Sequence, residues 1–168
     1  MELEEYYLHN PSAKVTGIDL SQGMLDALKK KFPDKDIVLI CDSYFQVPFG
    51  EAAFDGAVSV ESLHHFTKAE NVQLYKKLHS ALKDNAYFIL TDYFSLSDEE
   101  EQMHMQNLMD LKAKQGIISS ELYHYDTPLT VKHETEALLE AGFSSVAVLQ
   151  RNPYNQSRTV KHIKTQYI

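Results

Sequence analysis

Stretches of unbroken apolar character alternate along this chain with stretches in which apolar residues recur every three or four positions. Residues 14–20 (KVTGIDL), 37–41 (IVLIC), 54–60 (FDGAVSV) and 87–93 (YFILTDY) are of the first kind, the pattern of parallel strands covered on both faces. Residues 21–32 set Met24, Leu25, Leu28 and Phe32 on one helical face behind Ser21, a good N-cap residue, and residues 67–82 do the same with Val72, Tyr75, Leu78 and Leu82. Residues 2–8 read as the end of a helix closed by Asn10-Pro11, and an Asp84-Asn85 turn leads into the strand that follows. Strands and helices in this order predict an α/β fold with a doubly wound, mostly parallel sheet.

Further along, residues 98–115 form an amphipathic pattern whose acidic first turn suits the positive end of a helix dipole. Residues 131–141 predict another helix, with Gly142 where a C-terminal glycine cap belongs. Residues 145–149 (SVAVL) read as a late strand and residues 160–168 as a last one. Internal repeats and low-complexity linkers are absent, and 168 residues with 43% hydrophobic content suffice for one core, so a single domain over residues 1–168 is expected.

A formal charge of −8 argues against a broad nucleic-acid or anionic-membrane surface and favours a small-molecule substrate. No apolar run approaches the roughly 20 residues that span a bilayer. The single cysteine, Cys41, has no partner for an internal disulfide, and the start of the chain lacks a secretory pattern, which together point to the cytoplasm.

In doubly wound sheets ligands bind beyond the carboxyl ends of the strands, so the residues just after each strand are the candidates for chemistry. Asp19 can accept hydrogen bonds from both hydroxyls of a ribose, or simply cap the next helix. Asp42-Ser43-Tyr44 offers a carboxylate to an exocyclic amine and a ring to a flat base, or is a plain surface loop. His64 and His65 are candidates for a general base or for packing and pocket lining, and Tyr93 ends the next strand with a second ionisable group. A metal is not expected, because no Cys or His partner lies at ligand spacing and zinc takes at least three protein ligands. Met103, Met105 and Met109 read as either a soft pocket wall or core.

Taken in order, VTGIDLSQGMLDALKKKF, the segment from Asp42 to Phe49, FDGAVSVESLHHF, YKKLHSALKDNAYFILTDYF and LLEAGFSSV resemble the class I, Rossmann-type S-adenosylmethionine-dependent methyltransferases over roughly residues 1–150. The resemblance implies a sheet whose last strand is antiparallel, with S-adenosylmethionine across its carboxyl edge. Carried over residue by residue, Asp19 holds the ribose, Leu20 and Met24 pack near it, Asp42 and Ser43 meet the adenine, and Val60 lies beneath the cofactor. His64, His65 and Tyr93 become the candidate catalytic residues, and residues 95–130, with Tyr123, His124 and Tyr125, the substrate lid.

The family's first strand and glycine-rich loop have no counterpart in this sequence, since MELEEYY aligns with the helix after that loop. An N-terminally truncated methyltransferase is therefore expected, with weakened or lost cofactor binding and with self-association through strand or segment exchange into a homodimer or larger assembly. Two other functions stay open, a catalytically inactive binding or oligomerising module and an RNA-modifying methyltransferase.

Overall fold

Residues 2–117, 123–148 and 163–164 are described by a computed structural model. They fall into two compact units, residues 1–48 and 49–168.

The first unit begins with helix α1 (Glu2–His9), followed by strand β1 (Val15–Asp19), helix α2 (Gln22–Lys31) and strand β2 (Ile37–Cys41). Ser21 caps α2 as its sequence position predicts, its side chain accepting from the N–H of Met24. β1 and β2 pair in parallel from Val15 opposite Ile37 to Asp19 opposite Cys41, so both strands end together. Tyr7, Phe32 and Ile37 form the core, with Val15, Leu28 and Leu39 packed against them. Gly17 lies close under its neighbours, since a Cβ there would meet the Leu39 side chain of β2 at 3.0 Å and the Leu28 side chain of α2 at 3.5 Å.

The second unit holds β3 (Phe54–Val60), α3 (Lys68–Ala81), β4 (Leu82–Thr91), α4 (Asp98–Gln115), α5 (Val131–Glu140), β5 (Ala147–Val148) and β6 (Ile163–Lys164). A full capping box starts α3: the Thr67 side chain accepts from the Glu70 N–H while the Glu70 carboxylate accepts from the Thr67 N–H. β3 and β4 pair in parallel from Gly56 opposite Tyr87 to Val60 opposite Thr91. The Asp84-Asn85 turn lies inside β4, which starts at Leu82; the register shifts there, and Asn85 adopts φ 62°, a conformation asparagine tolerates. Tyr75, Phe88, Leu90 and Leu138 are the largest fully buried side chains, uniting α3, β4 and α5 in one core. Gly142, at φ 106°, closes α5 in the role predicted for it, and the Phe143 N–H reaches back to the Leu138 carbonyl at 3.2 Å.

β5 pairs antiparallel with β6, so the expected final antiparallel strand is present. Of the first predicted late strand, Ser145 and Val146 precede β5 without strand pairing, and residue 149, residues 160–162 and residues 165–168 lie outside the described residues. Parallel pairs with intervening helices and a final antiparallel pair make this a Rossmann-like α/β fold. No helix among the described residues is long and apolar enough to cross a membrane.

Candidate active site

Because β1 and β2 end in register, the first unit sets its candidate residues along one edge. Asp19 stands opposite Cys41, and Asp42 and Ser43 follow directly. The Ser21 N–H donates to Asp19 Oδ1 at 2.7 Å, so the carboxylate does serve the turn into α2. A carboxylate offers about four acceptor positions, which leaves capacity for a ligand hydroxyl. Leu20 and Met24 are 60% and 63% exposed, apolar surface beside an acceptor edge that suits a base and a sugar. Asp42 and Ser43 shape their own loop: the Ser43 N–H donates to Asp42 Oδ1 at 2.6 Å, and the Gln46 and Val47 N–H groups donate to the Ser43 carbonyl.

In the second unit the chain leaves β3 at Val60 and turns sharply at Glu61, whose φ of 46° is costly for a residue with a side chain. The turn is held by Asp92, one residue past the end of β4. Its Oδ2 accepts from the N–H groups of Ser62 (3.3 Å) and Leu63 (2.8 Å), and its Oδ1 from the N–H of Tyr93 (2.9 Å). His64 Nδ1 lies 2.5 Å from the same Oδ1, with both side chains almost wholly buried. Buried Asn71 on α3 adds a hydrogen bond to the Leu63 carbonyl. A carboxylate that only accepts assigns the proton to Nδ1, so the lone pair of His64 sits on Nε2.

That lone pair faces the segment before α5. Asp126 Oδ1 is 3.6 Å from His64 Nε2 and 3.1 Å from His65 Nδ1. The His65 nitrogen is buried, and its approach to Asp126 lacks the geometry of a hydrogen bond. Burial lowers the pKa of His65, the neighbouring His64 and His124 lower it further, and Asp126 and the Tyr125 backbone oppose them. The His124 ring lies 4.2 Å from the His65 ring, and Tyr93 meets His64 edge-on at 4.8 Å. The Thr127 N–H donates to the His64 carbonyl at 2.7 Å, tying this segment to the histidine turn, and the Tyr123 hydroxyl accepts from Gln115 at the end of α4.

His64, His65 and Tyr93 are thus brought together with His124, while Asp19, Asp42 and Ser43 share the other unit's edge. Asp92 was missed in the sequence, although a lone carboxylate ending the apolar run YFILTD was a signal for it. Asp126 was seen only as a member of the lid, because nothing local joins it to the histidine pair. Val60 ends β3 and is 37% exposed; Met103 and Met109 are more than half exposed, so the methionines of α4 are not core.

A curated relative, 24-methylenesterol C-methyltransferase 3 of Arabidopsis thaliana, is 28% identical over 116 residues, covering 64% of this chain and 32% of that protein. The chain thus spans about a third of the length of that relative. Among solved structures, an S-adenosylmethionine-dependent methyltransferase from Methanosarcina mazei superposes with TM-score 0.68 at 17% identity, covering 100% of this chain and 87% of that one. The Burkholderia thailandensis 1,6-didemethyltoxoflavin-N1-methyltransferase, solved with that substrate and S-adenosylhomocysteine, gives TM-score 0.65 at 18% identity, covering 97% of this chain and 64% of that one. The methyltransferase domain family matches residues 2–90, which contain β1 to α3 and nearly all of β4. The chain belongs to that family.

Proposed function

We propose that this chain acts in S-adenosylmethionine-dependent methyl transfer to a small-molecule acceptor whose hydroxyl, amine or thiol must lose a proton. The buried Asp92–His64 pair carries this reading, since it aims an imidazole lone pair out of the strand ends in the manner of a general base oriented by a carboxylate. The bound S-adenosylhomocysteine of the Burkholderia enzyme supports the cofactor assignment. When bound, the cofactor supplies an electrophilic methyl group; the protein's work is alignment and proton removal.

Asp19 takes the ribose hydroxyls, Asp42 and Ser43 the adenine edge, and Leu20 and Met24 its apolar surroundings. His64 accepts the acceptor's proton at Nε2, Asp92 stabilises the resulting imidazolium, and the segment from Tyr123 to Tyr125 covers the acceptor. The described strands pair only two by two, and self-association by strand or segment exchange would add a segment from a second copy to one of their edges.

The test is release of S-adenosylhomocysteine from S-adenosylmethionine across a panel of phenols, amines and thiols, comparing the full chain with His64→Gln. Loss of a general base should cost about 10²- to 10⁴-fold in turnover. Undiminished turnover in a folded His64→Gln protein refutes the assignment.

A further inference from the structure

We propose that His64 Nε2, His65 Nδ1 and an Asp126 carboxylate oxygen form a binding site for a divalent transition-metal cation of the zinc or cobalt class, with an open position for the acceptor. Spacing along the chain argued against a metal, but folding supplies the third ligand from the segment before α5.

Geometry is the first support. Donors bound tetrahedrally at zinc's usual 2.0–2.1 Å lie about 3.3 Å apart. Here Asp126 Oδ1 stands 3.6 Å from His64 Nε2 and 3.1 Å from His65 Nδ1, and all three donor atoms fall within 4.8 Å of one another. To hold one cation the widest donor separation, up to 4.8 Å, must close to about 3.3 Å, with Asp126 already near the required distance from both histidines.

The state of each donor is the second support. The His64 Nδ1–H donates to Asp92 at 2.5 Å, and a ligating histidine is commonly oriented through its other nitrogen by a carboxylate in just this way. His65 Nδ1 is buried without a hydrogen bond, an arrangement that costs free energy unless the lone pair has a partner such as a cation. Two imidazoles and one carboxylate match the ligand set of zinc and of non-haem divalent metals, and three protein ligands leave a coordination position free. An acceptor hydroxyl or thiol bound there has its pKa lowered by the cation and loses its proton to solvent, so His64 acts as a ligand in that state.

The inference deepens the reading of the acceptor side, but its test needs neither cofactor nor turnover, so the two can fail separately. The tag-free full chain, stripped with a chelator, is titrated with Co²⁺ and followed by visible absorption and calorimetry. One equivalent should bind saturably with the absorption bands of a low-coordinate site, and Asp126→Asn and His65→Gln should each weaken binding at least about tenfold. Asp126 is largely exposed, so its variant should fold, and circular dichroism verifies this. His133→Ala, which removes a partner of Glu101, should leave the affinity unchanged. Absence of saturable binding up to about 1 mM Co²⁺, or an affinity in both site variants unchanged from that of the unsubstituted chain, overturns the proposal.

Discussion

Replacing Glu134 by glutamine should change how stability responds to pH. Glu134 sits on α5 with 4% exposure, and its carboxylate accepts from the hydroxyl of Tyr75, which is fully buried. Burial raises its pKa from 4.5 to about 7; Asp92 and Glu101 add to the rise, while the Tyr75 hydrogen bond and Lys68 oppose it. Between those two values the folded protein keeps a proton that the unfolded chain has released. The unfolded state then binds fewer protons, so the free energy of unfolding falls as pH rises through this window. At about 1.4 kcal/mol per unit, a full traverse costs about 3 kcal/mol.

Glutamine keeps the shape and the oxygen that Tyr75 needs but has no proton to lose, so whatever it costs is independent of pH. Urea denaturation of both proteins from about pH 5 to about pH 8 isolates the effect, because titrating groups that do not interact with Glu134 cancel in the difference. The stability gap should move in favour of the variant by about 3 kcal/mol across that range, on the order of 6–12 °C in Tm for a chain of this size. A gap that stays constant with pH refutes the assignment of a raised Glu134 pKa.

Asp92→Asn should strand at least one buried donor, since an amide group would then face the N–H groups of Ser62, Leu63 or Tyr93 or the His64 ring; a loss of about 1–3 kcal/mol per donor is expected in urea denaturation. Thr67→Ala removes half of the capping box of α3 and should cost about 1 kcal/mol, read by the same method.

Where local chemistry decides structure, the sequence was easy to read. Ser21 and Thr67 cap the helices they were expected to begin, Gly142 ends α5, and IVLIC and FDGAVSV are strands with those very bounds. The Asp84-Asn85 turn was read as a boundary because its residues favour one, but pairing with β3 at Leu82 extends the strand through it. The candidate site was less legible for a related reason. Asp19 and the histidine pair stand next to strand ends and announce themselves by position, whereas the partners that define the histidines' chemistry, Asp92 and Asp126, arrive from distant segments. Tyr75 and Glu134 show the same limit: a helical-period tyrosine and a helix glutamate give no sign in sequence that they meet in the core.

The cofactor assignment is tested most directly by calorimetric titration of the 168-residue chain with S-adenosylhomocysteine, alongside Asp19→Ala. Saturable one-site binding is predicted, weakened roughly ten- to hundredfold by the substitution, as loss of a charged acceptor for ligand hydroxyls requires. No saturable heat up to about 1 mM ligand, or equal affinity in the two proteins, would contradict the account.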